Sequence, residues 1–144
     1  MARQRALKHL LKVARDNGIE VRRSPLDGSL RVRGAARYGP LSDTWTILLD
    51  WDPGHARDVI PTLAHELGHA LPQQFRYPSM RYYIDQAGRW GANGVTPEVV
   101  LIELQAWRIG QRLLKQCDYP YMGEVAAFMR KCLNTYTQPL GIEI

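Results

Sequence analysis

The sequence is poor in cysteine, and it has no long apolar run. The two cysteines, Cys117 and Cys132, form no CxxC pair, which argues against a disulfide framework and favours free buried thiols over a bridge or a ligand pair. No segment approaches the roughly 18 apolar residues that span a bilayer. The N-terminal charges are followed by no apolar segment, so we expect neither a secretory signal nor membrane contact. We therefore expect a cytoplasmic location.

The length and composition are those of one folded domain. The chain has 144 residues, of which 45% are hydrophobic and 23% charged, so it can bury a core, and we expect a single domain over 1–144. Residues 1–40 carry a net charge of +7 and the remainder −2. This basic segment indicates a nucleic acid or another acidic partner. The alternative is a solvated helix face followed by an edge hairpin that arginines protect.

Hydrophobic periodicity and turn residues predict a mixed order of helices and strands. Four helices are expected, over 4–17, 56–71, 96–115 and 121–134. Strands are expected over 19–24, 30–35 and 45–50, the first two forming a hairpin that Gly34 ends. Residues 73–95 are expected to form an irregular loop. Together they predict an α+β fold, in which a small, mainly antiparallel sheet packs against helices.

The segment most informative about function is His65-Glu66-Leu67-Gly68-His69, an HExxH motif within a predicted helix. Residues four apart lie on one face of a helix, so both imidazoles can reach one zinc ion. Glu66 lies beside that face, where it can act as general base toward a metal-activated water. The alternative is two unremarkable histidines with an exposed glutamate. Their apolar neighbours argue against it, because buried imidazoles need partners.

A catalytic zinc also needs a third protein ligand. No histidine follows His69, and the best downstream acid is Glu103. It lies on an otherwise apolar helix face, where a lone carboxylate is costly unless it is paired or binds a metal. The small residues Ala106 and Gly110 on the same stripe would let this helix approach the HExxH helix closely. Other interpretations stay open: Asp85 or His55 as ligand, or a salt bridge from Glu103 to Arg57 or Arg108.

The HExxH motif with Glu103 34 residues after His69 resembles the gluzincin clan of zinc peptidases. The short chain and the order of elements resemble the minimal gluzincins and the ImmA/IrrE-type cytosolic peptidases of phages and bacteria. The resemblance implies a zincin-like fold, zinc on His65, His69 and Glu103, and Glu66 as base. It also implies that strand 44–50 is the sheet edge that pairs with extended substrate. SprT-like proteases share the motif but use a third histidine, which this chain lacks.

Two features extend this hypothesis. Trp107 stands where many gluzincins place an acid that orients a histidine ligand, so the support of the ligands departs from the family. Tyr82 or Tyr83 of the 73–95 loop could stabilise the oxyanion, unless the loop's aromatics only pack against one another. The predicted function is hydrolysis of a protein or peptide by a catalytic core over 41–134. The alternative is a nucleic-acid- or protein-binding module with a structural or degenerate zinc site.

Overall fold

The computed structural model describes residues 1–23, 34–39, 44–49, 56–71 and 97–138. These residues form an α+β fold, as predicted. The four helices are α1 (Ala2–Asp16), α2 (Ala56–Ala70), α3 (Pro97–Gln116) and α4 (Met122–Thr137). The three strands are β1 (Glu20–Arg23), β2 (Gly34–Gly39) and β3 (Thr44–Leu49). None of the described helices is both long enough and apolar enough to cross a bilayer.

Helix α1 is amphipathic and ends where the sequence predicts. Ala6, Leu10 and Ala14 are buried. At its end Gly18 takes φ = 68°, and the amides of Gly18 and Ile19 donate to the carbonyls of Arg15 and Ala14, at 3.2 and 2.8 Å. This is a Schellman closure, which needs a left-handed residue and therefore favours glycine. The chain then leads directly into β1.

The three described strands form a mixed sheet in the order β1-β3-β2. β1 runs parallel to β3, whereas β2 runs antiparallel to it. The prediction of a mainly antiparallel sheet is therefore wrong for the described strands, since one of their two pairings is parallel. The predicted hairpin is therefore wrong in the described part, because β1 and β2 lie on opposite sides of β3. The prediction that 44–50 is a sheet edge is also wrong. β3 buries Trp45, Ile47 and Leu49 almost completely, and this apolar strand occupies the centre, where both of its edges are paired.

Gly34 begins β2 and does not end a strand, contrary to the prediction. A Cβ atom at this position would lie 2.6 Å from Thr62 Cγ2 and 3.2 Å from Glu66 Cγ. The glycine therefore lets the start of β2 approach the HExxH face of α2 closely, which is a recognised role of glycine inside strands. The sequence alone does not indicate this role, because the contact that requires glycine comes from a helix that is distant along the chain.

Candidate metal centre

Helix α2 presents three side chains that could bind a metal ion, on and beside one face. The ring centroids of His65 and His69 are 4.6 Å apart, as expected for residues one helical turn apart. One potential ligand atom from each of His65, Glu66 and His69 lies within 4.8 Å of the other two. The three side chains are largely buried, with 13%, 9% and 9% of their surface exposed. This group can therefore hold a metal ion.

Helix α3 brings a second carboxylate to the same point. Glu103 Oε2 lies 2.7 Å from His65 Nε2, and Oε1 lies 3.2 Å from His69 Nε2. The carboxylate thus spans the two ring nitrogens that would face an ion. Arg108 is exposed and makes no ion pair with Glu103 within the described ranges. The structure therefore brings Glu103 and the two histidines together, as the sequence predicted.

Two glycine contacts explain how α2 and α3 come so close. A Cβ on Gly68 would overlap the carbonyl oxygen of Ala106, and a Cβ on Gly110 would lie 2.8 Å from the carbonyl group of Ala64. Each glycine thus faces the backbone of the other helix. Because Ala106 lies one turn after Glu103, this close packing sets how far the Glu103 carboxylate reaches over the histidines.

The charges of the site favour a proton when no metal is bound. Burial opposes protonation of His65, but its hydrogen bonds with Glu103 and Glu66 and their negative charges outweigh burial and raise its pKa to about 10. Burial alone would raise the pKa of Glu103, but the charge of His69 and hydrogen bonds from both imidazoles lower this pKa well below its ordinary range. The metal-free site is thus an ion pair between His65 and Glu103.

The donor set fits zinc. Two imidazole nitrogens and one carboxylate oxygen are ligands of catalytic zinc sites, and nitrogen donors disfavour magnesium and calcium. Tetrahedral bonds of about 2.0–2.1 Å place ligand atoms about 3.3 Å apart, close to the 3.2 Å between His69 Nε2 and Glu103. The 2.7 Å between His65 Nε2 and Glu103 Oε2 is a hydrogen bond.

His65 is supported by an aromatic ring. The Trp107 indole stacks on its imidazole with centroids 4.3 Å apart and planes 13° apart. Trp107 is 1% exposed and makes a T-shaped contact with Phe128 on α4, with ring centroids 5.8 Å apart. The sequence identified Trp107 only as a departure from the gluzincin pattern. Its spacing of four residues from Glu103 was the available signal that both side chains lie on one face of α3.

The second nitrogen of His69 differs from that of a typical ligand histidine. His69 Nδ1 is buried and has no hydrogen-bond partner among the residues that the structure describes. Ligand histidines usually donate this second nitrogen to a carboxylate or carbonyl. The predicted oxyanion residues Tyr82 and Tyr83 and the alternative ligands Asp85 and His55 lie outside the described residues.

The sequence matches no protein-family model, no curated protein and no solved structure. A functional interpretation therefore depends on the residues and geometry of the site.

Proposed function

We propose that this chain is a zinc-dependent hydrolase, and specifically a peptidase, of the zincin-like type. The observation that carries the proposal is the meeting of Glu103 with both HExxH imidazoles. The two parts of the site come from separate helices, and Glu103 lies 2.7 and 3.2 Å from His65 and His69. An HExxH sequence that had arisen by chance would have no reason to face a buried carboxylate from another helix.

In the proposed enzyme His65, His69 and Glu103 would hold the zinc. Bound zinc supplies Lewis acidity, which lowers the pKa of a water molecule and polarises a substrate carbonyl. The stacking of Trp107 fixes the plane of the His65 ring, and the close α2–α3 packing fixes Glu103. Preorganised ligands of this kind lower the reorganisation needed during the reaction.

Glu66 is the proposed general base. Its residue is 7% exposed, and its Oε1 lies 3.4 Å from His65 Nδ1, within the group of side chains that could hold a metal ion. The carboxylate takes a proton from the attacking water and returns it to the leaving amine. The start of β2 covers the aliphatic part of Glu66, which restricts where this carboxylate can move.

The proposed substrate is an extended peptide, and β2 is the strand that it would follow. β3 is paired on both sides, so the peptide cannot add there. Among the described strands β2 lies on the outside of the sheet, and its Gly34 approaches the Glu66 side chain. Main-chain hydrogen bonds to an outer strand would hold a peptide beside the base.

The deciding experiment compares Glu66→Gln with the wild-type protein. We expect near-stoichiometric zinc in both, and a loss of peptide turnover of about 10²–10⁴-fold in the variant because the base is removed. Glu20→Gln, which changes an exposed acid on β1, is the matched control and should retain full turnover. Turnover is measured on a pool of fluorogenic peptides of mixed sequence, and zinc by elemental analysis.

The outcomes separate the alternatives. Undiminished turnover in zinc-loaded Glu66→Gln would contradict the mechanism. Zinc binding with no turnover by the wild-type protein would favour the alternative of a binding module with a structural zinc. A wild-type protein that binds no zinc would contradict both.

A further inference from the structure

Helix α1 carries a basic stripe, which we define as Arg5, Lys8, Lys12 and Arg15. Their spacing of three, four and three residues places the four side chains within a sector of about 80° on the helix. All four are exposed. At a rise of 1.5 Å per residue the stripe is about 15 Å long.

The packing of α1 fixes the direction of this stripe. Ala6, Leu10 and Ala14 are almost fully buried in the core, where α1 packs against α2 and β1. The helix therefore cannot turn its basic residues inward, and the stripe faces solvent. α1 contributes no residue to the candidate metal centre.

Most of the charge on the stripe is uncompensated. Lys12 pairs with Asp16 at 3.0 Å, and both side chains are more than half exposed, so the pair is weak and can exchange for another anion. Arg5, Lys8 and Arg15 have no carboxylate partner within the described part of the chain. The neighbouring Arg3, which lies off the stripe, is paired with Glu124 at 3.3 Å.

The chemistry of the stripe favours a nucleic acid over an acidic protein. Protein interfaces generally place apolar or aromatic side chains at their centre. Here the one large hydrophobic side chain exposed on α1, apart from the N-terminal Met1, is Leu11, at 38%. Binding to a phosphate backbone needs no apolar centre, because the release of counterions supplies the free energy. Long, flexible cations in a row suit phosphates, which repeat regularly along a strand.

We propose that the basic stripe of α1 binds the phosphate backbone of a nucleic acid without reading its sequence. This activity is separate from the proposed hydrolysis, because the stripe and the metal centre share no residue. It would hold the chain on a nucleic acid while the metal centre remains available.

The experiment measures fluorescence anisotropy with a labelled 20-base-pair DNA duplex, an RNA duplex of the same sequence, and a polyglutamate peptide. Four phosphate contacts predict a slope of log K against log [salt] of about −3.6, so the affinity should fall about a hundredfold between 50 and 200 mM KCl. We expect binding to at least one duplex. Comparison of the DNA and RNA arms then identifies which source of phosphate is preferred.

The variant Lys8→Gln/Arg15→Gln should weaken binding and reduce the slope by about two, one for each lost contact. Lys115→Gln/Arg130→Gln is the matched control, because it removes the same charge from exposed positions on α3 and α4. It should retain most of the affinity and the slope. Equal losses in both variants, salt-independent binding, absence of binding to either duplex, or tighter binding to polyglutamate would each overturn the proposal. Zinc content should be unchanged in both variants.

Discussion

Replacement of Gly68 by alanine tests whether backbone contact between α2 and α3 positions the metal centre. A methyl group at Gly68 would overlap the carbonyl oxygen of Ala106 and lie 2.7 and 2.8 Å from its carbonyl carbon and Cα. Ordinary contacts between carbon atoms are about 3.5–4.0 Å. The helices must therefore separate by about 1 Å, since all three neighbouring atoms belong to the backbone and not to a flexible side chain.

The magnitude follows from two opposing effects. Alanine has a higher helix propensity than glycine, which favours the variant by about 1 kcal/mol. Overpacking in a dense core costs about 1–3 kcal/mol, and a clash with backbone belongs at the upper end. We therefore expect the free energy of unfolding to fall by about 2 kcal/mol. Glu103 would move with α3, and because metal bonds tolerate displacements of only about 0.2 Å, zinc affinity should also fall.

The assay is urea unfolding of the metal-free protein, together with zinc affinity by competition with a chelator. Gly123→Ala is the matched control, because a Cβ at this position in α4 would meet no atom within 4 Å. It should leave zinc affinity unchanged and raise stability by up to about 1 kcal/mol. Wild-type stability and zinc affinity in Gly68→Ala would refute the close contact. Lower stability with unchanged zinc affinity would refute its connection to Glu103.

Two further predictions concern His65. Its pKa is raised from 6.5 to about 10 in the folded, metal-free protein, so its protonation stabilises the fold fully below pH 6.5, and this contribution is lost as pH rises through 10. Urea unfolding in a chelator at pH 6, 8 and 10 should therefore show a falling free energy of unfolding. Saturating zinc, which binds the neutral ring, should remove this decline. A profile that rises with pH would contradict the ion pair with Glu103. Trp107→Leu should weaken zinc binding about 10–100-fold in chelator competition, because it removes the ring that stacks on a proposed ligand. Trp107→Phe, which can still stack, should lose less zinc affinity. Equal losses of zinc affinity in the two variants would argue against a stacking role.

The helices and the candidate ligands could be identified from the sequence because their signals are local. The i, i+4 spacing of His65 and His69 needs only one helix, and Glu103 was conspicuous as a carboxylate on an apolar stripe. The periodicity of α1 and the Asn17-Gly18 stop likewise act within a few residues of sequence. Local rules of this kind do not depend on which distant segments come together.

The sheet was less predictable, because strand pairing joins segments that are distant in sequence. Neighbouring strands suggested a hairpin, but β3 lies between β1 and β2. The burial of Trp45, Ile47 and Leu49 explains the central position of β3, yet the same apolar run was equally consistent with an outer strand. Gly34 was misread for a related reason, since the contact that requires it comes from α2.

Helix α4 contacts the candidate metal centre through aromatic rings, although it carries none of the candidate ligands. Phe128 contacts Trp107, and Trp107 stacks on His65, so a row of three rings connects α4 to the His65 imidazole. A shortened chain that ended before Met122 would retain each proposed ligand and the base, but the tryptophan would lose its backing. Helix α4 thus packs behind the candidate site, and changes to this packing should reduce metal retention more than they affect the rest of the fold.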